Sequence, residues 1–262
     1  VLPAGDFPVM SSDGLSGRIT VDVGELIRLI DKTRFAISNE ETRYYLNGLY
    51  LHTVGEGAAA KLRAVATDGH RLALAEMPAP EGAAGLPGVI IPRKTVQEVR
   101  RLIEDAGETV ELQLSAAKVR VAFGRASLTS KVIDGSFPDY GRVIPKDNDR
   151  ILTVDNAVFA SAVDRVATIS AEKSRSVKLA IEPGRMTLTV RNMEAGQAVE
   201  ELEAEYTGEA FEIGFNARYL LDVAGQVQGD VAEFRFADPA SPTLVLDASD
   251  PAVQYVLMPL RV

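Results

Sequence analysis

A domain-sized internal repeat constrains this chain more than any other feature. Ile19-Thr20-Val21-Asp22 opens a segment in which Val23, Leu26, Ile27 and Ile30 fall at helical spacing, and Leu152-Thr153-Val154-Asp155 opens another with Phe159, Ala162, Val163 and Val166 at that spacing. Each helix is expected to start on an Asp N-cap, and Glu25 stands where a capping-box acid would. The segments end at Ile37-Ser38 and Ile169-Ser170, so the offset is 133 residues at the start and 132 at the end. A period this long marks duplication of a whole domain, not of a single supersecondary unit.

Both copies continue alike. Extended runs over 44–54 and 62–77 in the first, and over 177–181, 186–191 and 198–206 in the second, lead to a second helix, at 95–104 after Pro92 and at 217–226. Three further strands follow in each, at 110–114, 119–123 and 127–132, then at 232–236, 243–247 and 253–258. The fold class is therefore α+β, two domains each with two helices packed on mostly antiparallel sheet. Phe7-Pro8 precedes the first copy much as Phe137-Pro138 precedes the second. The expected division is 1–17 as the tail of an earlier repeat, 18–145 as one domain and 146–262 as the next.

Composition narrows the function. The chain has 46% apolar and 25% charged residues and no Trp. It has no run of 18 apolar residues, so neither a membrane span nor a disordered chain is indicated. It contains no Cys, which excludes disulfides, a thiol nucleophile and thiolate metal sites; with no basic, apolar leader at its start, a cytoplasmic protein is expected. The net charge of −9 is uneven: residues 18–145 carry +1 and 146–262 carry −8. Phosphates can be touched only through local patches, against a repelling overall field.

Two apolar runs meet across the Asp-Gly pair of Ala66-Thr67-Asp68-Gly69-His70-Arg71-Leu72-Ala73, which reads as a β-hairpin with His70 and Arg71 at the sheet rim. Gly55-Glu56-Gly57-Ala58-Ala59-Ala60-Lys61 is no phosphate loop, because Ala60 and Leu62 stand where Gly and a hydroxyl are needed; it reads as a hairpin loop. Asp68 and His70 make no triad, since residues flanking a tight turn diverge and no nucleophile elbow exists. With His52 and His70 the only histidines, no metal site is expected, and no catalytic residue and no cofactor. The run Glu200 to Glu205 reads as the solvated face of a strand. The C-terminal Tyr255-Val256-Leu257-Met258-Pro259-Leu260-Arg261-Val262 is apolar almost to its end; beyond a final core strand, Met258-Pro259-Leu260 look like the wall of a groove.

Taken together, these stretches resemble the bacterial DNA polymerase sliding clamp, the β subunit of the replicase. The resemblance rests on Arg43-Tyr44-Tyr45-Leu46-Asn47-Gly48, the Asp-Gly hairpin, Ser136-Phe137-Pro138-Asp139-Tyr140 with Arg142-Val143, Gly214-Phe215-Asn216 with Tyr219, and the C-terminal run. It implies the second and third of three clamp domains. In the family, two subunits join head to tail into a ring that encircles duplex DNA and tethers the polymerase, with basic helices (here bearing Arg28, Lys32, Arg100, Arg101 and Arg165) facing the hole. Polymerase and clamp-loader subunits dock extended peptides with Leu and Phe anchors in a groove between the second and third domains. By position the hairpin would supply Thr67, Gly69, His70, Arg71 and Leu72, joined by Leu46, Pro138, Arg142 and Val143. The tail would add Val256, Leu257, Met258, Pro259 and Leu260, with Asn216, Tyr219 and Arg261 nearby. The family's small or apolar strand-edge pair is Ala240 and Pro242 here, a departure bearing on motif preference. DNA contacts would fall to Arg43, Tyr44, Tyr45, Arg93 and Lys94, weakened by Glu40 and Glu41. Thr168 and Ile169 would meet the first domain of the other subunit; lacking that domain, this segment is expected to be a monomer. A clamp-like peptide-binding adaptor without DNA function is the alternative. An enzyme using His70 and Arg71 is a remoter rival.

Overall fold

The computed structural model describes residues 14–15, 17–104, 107–170 and 175–261. Phe7 and Pro8, in the anticipated tail of an earlier repeat, and the terminal Val262 lie outside the described residues. The chain folds as two compact units: one runs to Val65 and resumes over Glu76–Phe137, and the other comprises Ala66–Ala75 with the chain from Pro138 onward.

In the first unit, β1 (Gly17–Asp22) runs without a loop into α1 (Val23–Thr33). Asp22 caps this helix by accepting the Glu25 amide at 3.0 Å, which satisfies one of the donors a helix start leaves open. Strands β2 (Gly48–Val54), β3 (Lys61–Thr67), β4 (Arg71–Pro78) and β5 (Val89–Pro92) follow, the end of β3 and the Arg71–Ala75 part of β4 lying in the other unit, then α2 (Arg93–Leu102) and a meander of β6 (Thr109–Leu114), β7 (Lys118–Phe123) and β8 (Ala126–Lys131). β1 closes the meander in the order β1-β6-β7-β8, placing Ile19 opposite Leu112 and Val21 opposite Val110. The core between helices and sheets is aliphatic: Leu26, Leu29 and Ile30 of α1 and Val96 and Val99 of α2 are buried with Leu49, Leu51, Leu112 and Val121.

The second unit repeats the plan. β9 (Arg150–Asp155) leads directly into α3 (Asn156–Ala167), capped by Asp155, which accepts the Val158 amide at 2.8 Å. Next come β10 (Ser176–Glu182), β11 (Arg185–Asn192), β12 (Gly196–Glu203), β13 (Glu205–Tyr206) and β14 (Phe211–Asn216), which enters α4 (Ala217–Ala224). The chain closes with β15 (Val231–Phe236), β16 (Thr243–Asp247) and β17 (Val253–Leu257). One sheet has the order β12-β11-β10-β14. The other strands pair antiparallel from β13 through β9, β15 and β16 to β17, whose free side takes Arg71–Ala75 of β4. Here the core is aromatic, with Phe159 packed edge-on against Phe234 at 5.2 Å and Phe211 against Phe236 at the same distance. Among the described residues no helix is long and apolar enough to cross a membrane.

The tandem α+β architecture is as expected, with corrections in detail. The four strands that feed the helices, β1, β5, β9 and β14, are not among the strands expected from the sequence. Tyr44–Leu46 form a 3-10 turn, so β2 starts only at Gly48. In α1 the buried face carries Leu29 where Ile27 was expected, and Lys32 is itself buried at 4% exposure, which removes it from any phosphate-facing surface. The acidic run falls on β12 and β13 with its carboxylates on the solvated side as expected, and it alternates strictly, Leu202, Ala204 and Tyr206 inward and Glu201, Glu203 and Glu205 outward.

Candidate functional site

The Asp-Gly turn is built by side-chain bonds to its own backbone. Asp68 Oδ1 accepts the amides of His70 at 2.9 Å and Arg71 at 3.1 Å, while Thr67 Oγ1 donates to the Arg71 carbonyl at 2.6 Å and accepts the Gly69 amide at 3.1 Å. Gly69 has φ of 88°, where a side chain is strained, so Gly is required at this position.

Arg71 is drawn inward to 8% exposure. Its Nε donates to Asp68 Oδ2 at 3.1 Å and its Nη1 to Asp222 Oδ2 of α4 at 2.5 Å, and the guanidinium lies 4.4 Å over the Tyr219 ring. A planar cation held at two edges and stacked on one face is what Arg does and Lys does not. His70 stays exposed, its ring 6.4 Å from that of Tyr219.

The chain's tail meets this turn. The His70 carbonyl accepts the Met258 amide at 2.9 Å, just where Pro259 ends the β17 ladder, and the Leu260 amide reaches the Gly214 carbonyl of β14 at 2.8 Å. Asn216 caps α4 by accepting the Arg218 amide at 2.9 Å, presenting Tyr219 and Asp222 one turn apart on the same face. Hairpin turn, tail and α4 thus come together within one unit.

The individual positions separate into floor and rim. Leu72, Val256 and Leu257 are buried to 2% or less and form the floor. Met258 and Pro259 are half-buried above them and Leu260 and Arg261 are exposed. Pro138, Arg142 and Val143 sit at the exposed 3-10 turn Tyr140–Arg142, where Arg142 pairs with Asp139 at 2.8 Å. Leu46 belongs to the other unit and is buried in it. Asp222 escaped the sequence reading because it is 151 residues from Arg71; its spacing of three from Tyr219 on a capped helix is the one signal that points to it.

The arginines among the basic candidates are already engaged. Arg43 pairs with Glu40 at 2.8 Å, Arg93 bonds Asn39, and Lys94 and Tyr44 are exposed, the Tyr44 ring edge-on to Tyr45 at 5.8 Å. On the helices, Arg28 pairs with Glu25, Arg100 with Asp31, Arg101 with Glu98 and Arg165 with Glu200. The hydrogen bond to Glu200 holds the Arg165 guanidinium charged, and the same bond pulls the Glu200 carboxyl below its usual range. Thr168 caps α3, bonding the Asp164 carbonyl at 3.2 Å, and the Ile169 carbonyl accepts Asn192 Nδ2 at 2.8 Å. Among the described residues no group of three His, Asp or Glu side chains is arranged to hold a metal.

The family model for the central domain of the DNA polymerase III beta subunit matches residues 20–139 and that for its C-terminal domain matches 141–261. The chain is 80% identical to the beta sliding clamp of Caulobacter vibrioides strain NA1000 / CB15N over 262 residues, all of this chain and 70% of that one. A crystal structure of the C. crescentus clamp superposes with a TM-score of 0.97 at 80% identity, covering 100% of this chain and 69% of that one. A sliding clamp from Bartonella birtlesii bound to griselimycin gives 0.96 at 50% identity, covering 100% and 70%. The chain belongs to the DNA polymerase III beta subunit family, and its function is that of a DNA replication sliding clamp.

Proposed function

We propose that the joined hairpin turn and C-terminal tail form the surface through which this clamp takes its protein partners, as extended peptides anchored by Leu and Phe. The Met258 amide bonded to the His70 carbonyl carries this reading: it stops the tail from folding over its own floor and leaves Met258, Pro259 and Leu260 as an apolar wall. Leu72, Val256 and Leu257 support the anchors from beneath, while Thr67, Gly69, His70, Tyr219, Asn216 and Arg261 border them, with Pro138, Arg142 and Val143 on the turn at 140–142. Burying two such anchors contributes about 1.5 to 3 kcal/mol each, which suits micromolar binding and easy exchange. A relative that is 50% identical and bound to griselimycin supports a ligand-taking clamp surface.

The protein acts by topology, without catalysis or a cofactor, in the cytoplasm. Residues 18–145 and 146–262 serve as successive clamp domains, with 1–17 as the end of a preceding one; two subunits close a ring around duplex DNA with Thr168 and Ile169 at the subunit contact. Arg43, Tyr44, Tyr45, Arg93 and Lys94 touch DNA weakly, because local carboxylates and amides already occupy Arg43 and Arg93.

Fluorescence anisotropy with a labelled Gln-Leu-Ser-Leu-Phe peptide tests the groove. Saturable micromolar binding is expected, lost on deletion of 258–262; binding that survives the deletion would move the peptide site elsewhere.

A further inference from the structure

We infer that Asp222 of α4 is a positioning residue of the peptide surface, acting through Arg71; this rests on the groove reading above and names a residue that reading does not include. Arg71 lies at the end of the hairpin turn, and Asp68, three residues away, takes its Nε edge. The second restraint comes from a different element: Asp222 takes the Nη1 edge, and the two carboxylates at opposite edges set the guanidinium plane over Tyr219. The position of the hairpin turn against α4 is thereby set by one buried cation with a partner on each side. The effect reaches the tail, because the residue next to Arg71, His70, holds the Met258 amide.

The charges balance only with Asp222 present. Asp68 and Asp222 together outweigh Arg71, and Arg218, 3.8 Å from Asp222 and one helical turn before it, makes up the difference. Without the Asp222 carboxylate, a largely buried guanidinium keeps Asp68 but loses the bond that aims it, while Arg218 is left as a nearby like charge. The turn then rocks against α4 and the apolar wall loses its fixed spacing from the floor. The unit's core is untouched, since Asp222 is half-exposed at its edge.

The test measures the labelled pentapeptide on the intact chain, on Asp222→Asn, Asp222→Ala and Asp222→Glu, and on each of the first two combined with Arg71→Ala. The expected result is a Kd raised about tenfold in Asp222→Asn and Asp222→Ala, mostly through faster dissociation, and largely restored in Asp222→Glu. In the Arg71→Ala background, loss of Asp222 should change Kd no further. A merely structural ion pair would lower the melting temperature without this pattern in Kd. Affinity within twofold of the unaltered chain, or an equal loss with and without Arg71, overturns the assignment. Failure of the unaltered chain to bind overturns the groove reading first, and this inference with it.

Discussion

Asp247 and His52 show how single buried polar groups are made compatible with the interior. Asp247 is 2% exposed, and burial works against its charge, yet bonds from Ser249 Oγ and from the amides of Gln228, Ser249 and Gly229 hold its carboxyl below the usual range. It ties the loop after α4 to the turn that launches β17, so Asp247→Ala leaves several amides unanswered and should cost about 3 kcal/mol, read as a fall in denaturation midpoint. A cost under about 1 kcal/mol would mean that the turn holds without it. His52 is the opposite case: burial, aided by Arg63, pushes its pKa from 6.5 down to about 4, and its ring stacks 4.2 Å from that of Tyr50. Because the folded state disfavours the charged ring, the neutral ring's contribution is complete above pH 6.5 and is lost progressively as the pH falls from 6.5 to about 4. An NMR titration of the His52 ring protons should show a midpoint near 4, and one near 6.5 would remove the effect.

At the scale of elements, the helices were legible and the strands that feed them were not. Asp22 and Asp155 announce α1 and α3 because a carboxylate before a helical apolar pattern has one common use, and both do accept an amide of the first turn. The preceding Ile19-Thr20-Val21 and Leu152-Thr153-Val154 alternate for only a few residues before the period changes, so the strand merges with the helix in any window long enough to measure. β5 (Val89–Pro92) and β14 (Phe211–Asn216) are missing from the expected strands for a different reason: both are short runs that stay unassigned before helices read from 95 and 217. Asp155→Ala should destabilise the second unit by about 1 kcal/mol, and Asp22→Ala the first by a similar amount, each measured by chemical denaturation of the chain. Indifference to both changes would show that strand-to-helix continuity, not the cap, sets these starts. The candidate site was readable where its residues are adjacent in sequence, in the Asp-Gly turn and the tail; the Arg71–Asp222 pair was not, since nothing local couples residues 151 apart.

For the whole molecule, the governing quantity is how strongly it grips DNA. A clamp that slides needs phosphate contacts few and weak, because each one adds to affinity and must be broken at every step. The net charge of −9 and the pairing of Arg28, Arg43, Arg100, Arg101 and Arg165 with carboxylates both lower that grip. Glu40 is the lever most open to change, since its pair with Arg43 is half-exposed and worth little to stability. Glu40→Gln removes one negative charge and reduces the hold on the Arg43 guanidinium from a charge-assisted pair to a neutral hydrogen bond. Binding to a linear duplex, followed by anisotropy across a salt series, should strengthen, and the slope of log K against log salt should steepen by up to about 0.9, the value for one more phosphate neutralised. Tighter binding with an unchanged slope would mean that relief of repulsion, not a new contact, is responsible. No change in either would place Arg43 away from the path of the DNA, leaving the exposed Lys94 as the cation to test next.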